Sequence, residues 1–190
     1  YRYGWGVIRL GSLPSAITTI RGHWAEIAVD WAFSDGITDG CPTVGALTCP
    51  DLPVTRDEMA RFLWRFRSTP VAAVAASFDD VATDASYGPA VDWLAEVGIT
   101  EGCTVTSYCP AGTVTRAEMA AFLWRLEGSP KGSIAANFRD VAADFFAGPA
   151  IDWLLESGTT TGCTSLSYCP QGLVTRAEMF TFLRRLTAIS

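Results

Sequence analysis

The sequence predicts a mainly α-helical protein, with three tandem helix-loop-helix repeats packed as a pseudo-threefold bundle behind an extended N-terminal segment. Three observations predict it. The hexapeptide VTRAEM at 114–119 returns at 174–179 and, as VTRDEM, at 54–59. Behind each copy runs one apolar stripe at i, i+3, i+4, i+7: Met59, Phe62, Leu63, Phe66; Met119, Phe122, Leu123, Leu126; Met179, Phe182, Leu183, Leu186. Ahead of each copy stands one pair of cysteines. A two-helix unit cannot bury such a stripe alone, so three units are expected to pack their stripes around a shared centre.

The elements follow in order. Residues 1–16 hold Tyr1, Tyr3, Trp5, Val7 and Ile8, and read as an extended, partly apolar segment in want of a partner. It could continue an upstream domain, fold back on its own body, or pair with a second copy of the chain. The first repeat spans 17–69, the second 70–130 and the third 131–190. The second and third align without gaps from Phe78 and Phe138, whereas the first, from His23, needs two extra residues between its cysteines. Ser/Pro/Gly-started stretches at 67–77 and 127–137 read as linkers. In the second repeat Pro89 opens a short helix carrying Ala90, Val91, Leu94 and Val97, and Gly98 ends it; Thr115 opens the next.

Composition narrows the function. A chain of 190 residues, 49% hydrophobic, can bury a real core. The net charge of −6, with no basic stripe, disfavours nucleic acid as a partner. No apolar run reaches the ~18–20 residues of a membrane span, so membrane insertion is not expected. The start at Tyr1, with no charged region followed by an apolar one, reads as a processed product or a fragment. One histidine, His23, leaves no repeated histidine-based machinery, and no phosphate loop or nucleophile elbow is present. The chain is read as a non-enzyme without a cofactor.

The cysteine pairs Cys41 and Cys49, Cys103 and Cys109, Cys163 and Cys169 offer two thiols per loop. That is too few for a zinc site, so disulfides within each loop are expected, worth about 2–3 kcal/mol each by loop entropy. Three of them imply an oxidising, extracytoplasmic location. The clusters Asp79, Asp80, Asp84 and Asp140, Asp144 lack the ligand-dense pattern of a calcium loop and read as turn and cap residues.

Thr-x-x-Glu before an apolar stripe is a capping box, which fits Thr55 with Glu58, Thr115 with Glu118, and Thr175 with Glu178. Capping does not require the arginine between them. Arg56, Arg116 and Arg176 each place a planar five-donor fork beside the unpaired N–H groups of a helix start, a place suited to a carboxylate or phosphate. The plainer reading is a solvated Arg paired with a neighbouring acid.

Phe-x-Asp-Val at 78–81 and 138–141, a short helix, Gly-Ile-x-x-Gly, a loop closing in Pro and Thr-Arg-Ala-Glu, in that order and three times over about residues 17–187, together resemble the S-layer homology (SLH) domain. The resemblance implies a pseudo-trimeric bundle that holds surface proteins to the bacterial cell wall. It also implies a ligand, an anionic secondary cell-wall polysaccharide, in many members pyruvylated, bound between adjacent copies. Carried onto this chain, it implies binding roles for Arg56, Arg116 and Arg176, with Trp24 at the family's aromatic position and Asp80 and Asp140 in the Phe-x-Asp-Val motifs. Trp31, Trp93 and Trp153 read instead as core. The first copy has Ile17-Thr18-Thr19-Ile20 in place of Phe-x-Asp-Val, so its groove is expected to be altered. The third writes Gly158-Thr159 where the others have Gly-Ile, and paired cysteines are not general in the family. The competing reading is a secreted structural subunit that self-assembles into a layer or filament as a homo-oligomer through residues 1–16.

Overall fold

The structure is a computed structural model and describes residues 20–41, 49–133 and 135–189. The segment 1–16 and the first repeat's Ile17, Thr18 and Thr19 lie outside the described residues. Among the described residues there are six helices and no strand: α1 (Glu26–Ser34), α2 (Arg56–Phe66), α3 (Gly88–Glu96), α4 (Arg116–Leu126), α5 (Gly148–Glu156) and α6 (Arg176–Leu186). The protein is all-α. None of these helices is long and apolar enough to cross a membrane.

Each motif helix starts where its capping box stands. Thr115 N–H donates to Glu118 Oε2 at 2.8 Å, and Glu118 N–H donates back to Thr115 Oγ1 at 3.2 Å. Thr175 and Glu178 repeat the arrangement at 2.9 and 3.3 Å. In the first copy Thr55 N–H reaches Glu58 Oε2 at 3.2 Å, and the Thr55 hydroxyl donates to Asp57, a residue that is alanine in the other two copies. The short helices α3 and α5 begin instead on Gly-Pro, whose fixed φ suits a first turn.

Helix pairing differs from the sequence units. The helices that pack together are α2 with α3, α4 with α5, and α6 with α1, so each motif helix packs on the opening helix of the next repeat rather than on its own. The last pair joins the third repeat back to the first and closes the body. At the centre, Met59, Leu63, Met119, Leu123, Met179 and Leu183 are fully buried. Each such side chain contributes about 1.5–3 kcal/mol by the area it removes from water.

The valine before each motif closes the same circle in the backbone. Val54 N–H donates to Val174 O at 2.8 Å, Val114 N–H to Val54 O at 2.9 Å, and Val174 N–H to Val114 O at 2.9 Å. This ring satisfies three buried amides that no helix could serve. The linkers are tied down as well: Trp64 and Trp124 donate from Nε1 to Pro70 O and Pro130 O, and Ala76 and Ala136 N–H donate to Asp92 and Asp152 on α3 and α5.

Disulfides join Cys41 to Cys49, Cys103 to Cys109 and Cys163 to Cys169, with Cα atoms 5.5, 5.9 and 6.0 Å apart. The turn before each later bridge depends on one glycine. Gly102 has φ +88°, and a Cβ there would stand 2.4 Å from Thr104 O and 2.6 Å from Ser107 O. Replacing Gly102 by Ala is expected to cost about 2–4 kcal/mol in chemical denaturation, from left-handed strain and collision with backbone that cannot yield. Gly98 has a similar φ with open space around it, so Gly98→Ala should cost about 1 kcal/mol less or better.

Candidate functional site

The three motif arginines are buried, with relative exposures of 5%, 6% and 1% for Arg56, Arg116 and Arg176. Their guanidinium groups point across the boundary to the next repeat. Arg56 Nε donates to Tyr108 O at 2.7 Å and Nη1 faces Glu118 Oε1 at 3.4 Å; Arg116 Nε donates to Tyr168 O at 2.8 Å and Nη1 to Glu178 Oε1 at 2.9 Å. Arg176 Nη1 donates to Glu58, returning from the third repeat to the first. The glutamates that cap their own helices with one carboxylate oxygen thus hold the preceding arginine with the other. A second ring of three contacts surrounds the valine ring.

Aromatic faces complete each arginine's surroundings. Arg56 lies over Tyr108 and Phe122 at 5.0 and 5.4 Å, and Arg116 over Tyr168 and Phe182 at 4.9 and 5.7 Å. Arg176 lies over Phe62 and Phe180 at 5.1 and 5.5 Å. The first repeat has Thr48 in sequence where the others have Tyr108 and Tyr168, and Phe180, at the position of Ala60 and Ala120, supplies the ring. Burial pulls the Arg176 guanidinium below its ordinary pKa, while the Glu58 carboxylate works in the opposite direction. Burial likewise pushes the Tyr108 and Tyr168 phenols well up, so both remain neutral donors; their hydroxyls donate to Arg56 O and Arg116 O.

The open helix start expected beside each arginine is not found. Arg56 and Asp57 N–H donate to Gly112 O and Pro110 O, Arg116 and Ala117 N–H to Gly172 O and Pro170 O, and Arg176 and Ala177 N–H to Leu52 O and Pro50 O. The positive end of each motif helix is therefore used inside the molecule, to seat the carbonyls of the next repeat's loop. An anion meeting a motif arginine therefore cannot use these N–H groups.

Among the described residues, three of the grooves along the repeat boundaries have a motif arginine in the wall. The Arg56 groove, about 170 Å³, has Thr100, Glu101, Gly102 and Arg125 on the second repeat and Phe146 from the third. The Arg116 groove, about 190 Å³, has Thr160, Thr161, Gly162 and Arg185 on the third and Trp24 from the first. The Arg176 groove, about 270 Å³, has Asp39, Gly40, Arg61 and Arg65 on the first. In each case the Gly-x-Thr-x-Gly turn forms one side and the motif helix the other.

Trp24 stands in a groove and is 66% exposed, while Trp93 and Trp153 are buried and Trp31 packs partly buried against the core. Asp80 and Asp140 line none of the three grooves. Asp80 accepts from Tyr108 and Cys109 N–H at 2.7 and 2.8 Å, and Asp140 from Tyr168 and Cys169 N–H at 2.8 Å each. They hold from behind the loop that offers Tyr108 O and Tyr168 O to the arginines. Around Asp140, desolvation raises the carboxyl pKa, but the two N–H donors and the Arg116 charge outweigh it, leaving a net depression. The stabilisation from a depressed carboxyl is complete above the ordinary Asp value near 3.9 and is lost as pH falls through the lower folded value. Asp140→Asn should accordingly lower the denaturation midpoint at pH 7 and flatten the loss of stability between pH 4 and pH 2, as followed by urea titration at each pH.

Sequence reasoning missed Tyr108, Tyr168, Phe146 and the second use of the glutamates. The recurrence of Ser-Tyr-Cys-Pro at 107–110 and 167–170 was the available signal for the tyrosines. Phe146 aligns with Trp24, each standing two residues before the start of its short helix.

Comparison with known proteins bears on this arrangement. Residues 77–120, which carry the second repeat's Phe-x-Asp-Val segment, α3 and the start of α4, match the S-layer homology domain family. The chain is similar to the surface-layer 125 kDa protein of Lysinibacillus sphaericus, 33% identical over 57% of this chain and 9% of that protein. It is similar also to the S-layer protein of Bacillus thuringiensis subsp. finitimus, 25% identical over 86% of this chain and 20% of that one. A third match, endo-1,4-beta-xylanase A of Thermoanaerobacterium saccharolyticum, is 33% identical over 54% of this chain and 9% of the xylanase. The chain spans a fifth or less of the length of these relatives. The chain carries an SLH domain at residues 77–120. The SLH match and the two surface-layer relatives indicate a place outside the cell, at the bacterial surface.

Proposed function

We propose that all three repeats are SLH units and that the chain holds its protein to the cell wall by binding an anionic secondary cell-wall polysaccharide in the grooves between them. The observation that carries this reading is the placement of a buried arginine, flanked by aromatic faces, in the wall of a boundary groove three times over. A guanidinium so placed is partly stripped of water, and a carboxylate or phosphate meeting it gains a charge-assisted bidentate contact worth about twice a neutral hydrogen bond. The polar turn on one side and an exposed ring on another suit a sugar, which presents hydroxyl edges and apolar faces together. Nothing in the arrangement requires a reaction. The role is adhesion rather than catalysis, and the chemistry named by the xylanase match belongs to a protein of which this chain corresponds to 9%.

Cosedimentation with purified wall sacculi tests it. The chain should bind sacculi that retain their attached polymer and release into the supernatant once the polymer is stripped by acid; equal binding to stripped peptidoglycan would sink the reading. The two surface-layer relatives favour assembly as a second reading. For that, light scattering should show an oligomer that deletion of residues 1–16 abolishes, and a monomer before and after would dismiss it.

A further inference from the structure

The three grooves differ in ways that sort them into two kinds. Resting on the wall-polymer reading above, we propose that the Arg56 and Arg116 grooves bind the anionic saccharide, while the Arg176 groove is an internal lock that does not. The guanidinium donors supply the first contrast. Both terminal nitrogens of Arg176 are engaged: Nη1 donates to Glu58, and Nη2 donates to Thr38 Oγ1 at 3.0 Å and to Gly40 O. Arg56 has a buried Nη2 with no hydrogen-bond partner among the described residues. Thr100 and Thr160 accept from Gly102 and Gly162 N–H at 3.2 Å just as Thr38 does from Gly40 N–H, but their hydroxyls make no hydrogen bond to Arg56 or Arg116. A buried charged N–H without an acceptor is costly, and an anion in the groove relieves that cost.

The glutamates give the second contrast. Glu58 is 8% exposed at its side chain, Glu178 28% and Glu118 35%, and the Arg56–Glu118 pair, at 3.4 Å, is longer than the Arg116–Glu178 pair at 2.9 Å. Glu118 can therefore swing into water and yield Arg56 to an incoming carboxylate or phosphate, which takes both Nη1 and Nη2. Glu58 has no such route. In the Arg116 groove the cationic side is less opposed than elsewhere, because Thr161 stands where the other grooves have Glu101 and Asp39.

The third contrast is the wall supplied by the neighbouring repeat. Phe146 closes the Arg56 groove and Trp24 the Arg116 groove, 65% and 66% exposed, large rings left in water beside a cation. The same sequence position ahead of α3 is Ser86, and no residue of that segment lines the Arg176 groove. There Arg61, paired to Asp57 at 3.0 Å, occupies the position of Ala121 and Thr181 and fills the groove's edge. Sugar stacking has a platform in two grooves and none in the third.

The test measures binding isotherms of the full chain on polymer-bearing wall sacculi, with circular dichroism as a check on folding. Phe146→Ala and Trp24→Ala, both surface truncations, should each weaken binding by about three- to tenfold, and the double variant by more than either. Arg61→Ala, at the rim of the Arg176 groove, should leave binding within twofold. A loss with Arg61→Ala equal to that of the aromatic variants, or no loss with either aromatic variant while the unaltered chain binds, overturns the groove assignment and leaves the wall-polymer reading standing. Failure of the unaltered chain to bind polymer-bearing sacculi at all overturns that reading instead.

Discussion

Glu58→Ala is expected to lower the unfolding free energy by about 3–5 kcal/mol, the range for removing one partner of a buried ion pair. Arg176 is 1% exposed and Glu58 6%, so the guanidinium left behind loses its ion-pair partner in a place shielded from water. The same substitution removes the carboxylate that caps α2 through Thr55 N–H. It also cuts the contact between residues 118 positions apart that helps close the third repeat onto the first. Glu118→Ala makes the comparison sharper. Its carboxylate is 35% exposed and faces Arg56 at 3.4 Å, so water replaces much of what is lost, and about 1–2 kcal/mol should follow, mostly from the cap. Urea titration of the two variants should rank them in this order. Equal losses would mean that the ring's third contact is no different from its first.

Arg56→Lys combined with Arg116→Lys is expected to reduce affinity for polymer-bearing sacculi by about 100-fold or more, with a much smaller effect on stability. Lysine keeps the charge and most of the apolar stem between the aromatic rings. What it lacks is the fork. Arg56 uses Nε for Tyr108 O, while Nη1 faces Glu118 and Nη2 has no partner among the described residues, and a single ammonium cannot replace all three donors. Each charge-assisted hydrogen bond forfeited is worth about 1.5–3 kcal/mol, which over two grooves gives the stated loss. An unchanged isotherm would show that the guanidinium geometry is irrelevant to adhesion and that the arginines serve only to join the repeats.

Much of this architecture was legible in the chain. Period and stripe located the motif helices because local capping and helical spacing act over a few residues, and Thr115 and Glu118 do what their spacing implied. The cysteine pairs were legible for the same reason, lying six or eight positions apart. What failed was reasoning across repeat boundaries. Reading Thr-Arg-Ala-Glu as one local motif left the helix-start amides unpaired, whereas Gly112, Pro110 and their counterparts arrive from the next repeat to accept from them. The glutamates were assigned a single duty because the sequence shows no reason for Glu118 to meet Arg56, 62 positions away. Trp24 was found by the family resemblance and Phe146 was not, since a phenylalanine beside Phe145 looks like core until exposure separates them. Asp80 and Asp140 read as ligand residues from their motif, and the sequence gives no hint that their carboxylates also accept from the backbone N–H groups of Tyr108 and Tyr168.

On the proposed function, the arginines that join the repeats are the same ones that hold the wall polymer. Thermal unfolding of the intact chain, with and without polymer released from sacculi, tests it most directly. A ligand seated across a repeat boundary binds only the closed body and stabilises it by about 2.7 kcal/mol at a concentration 100 times its dissociation constant. A clear rise in the unfolding midpoint is expected for the unaltered chain and none for the Arg56→Lys, Arg116→Lys variant. The same rise in both would place the polymer somewhere other than the arginine grooves.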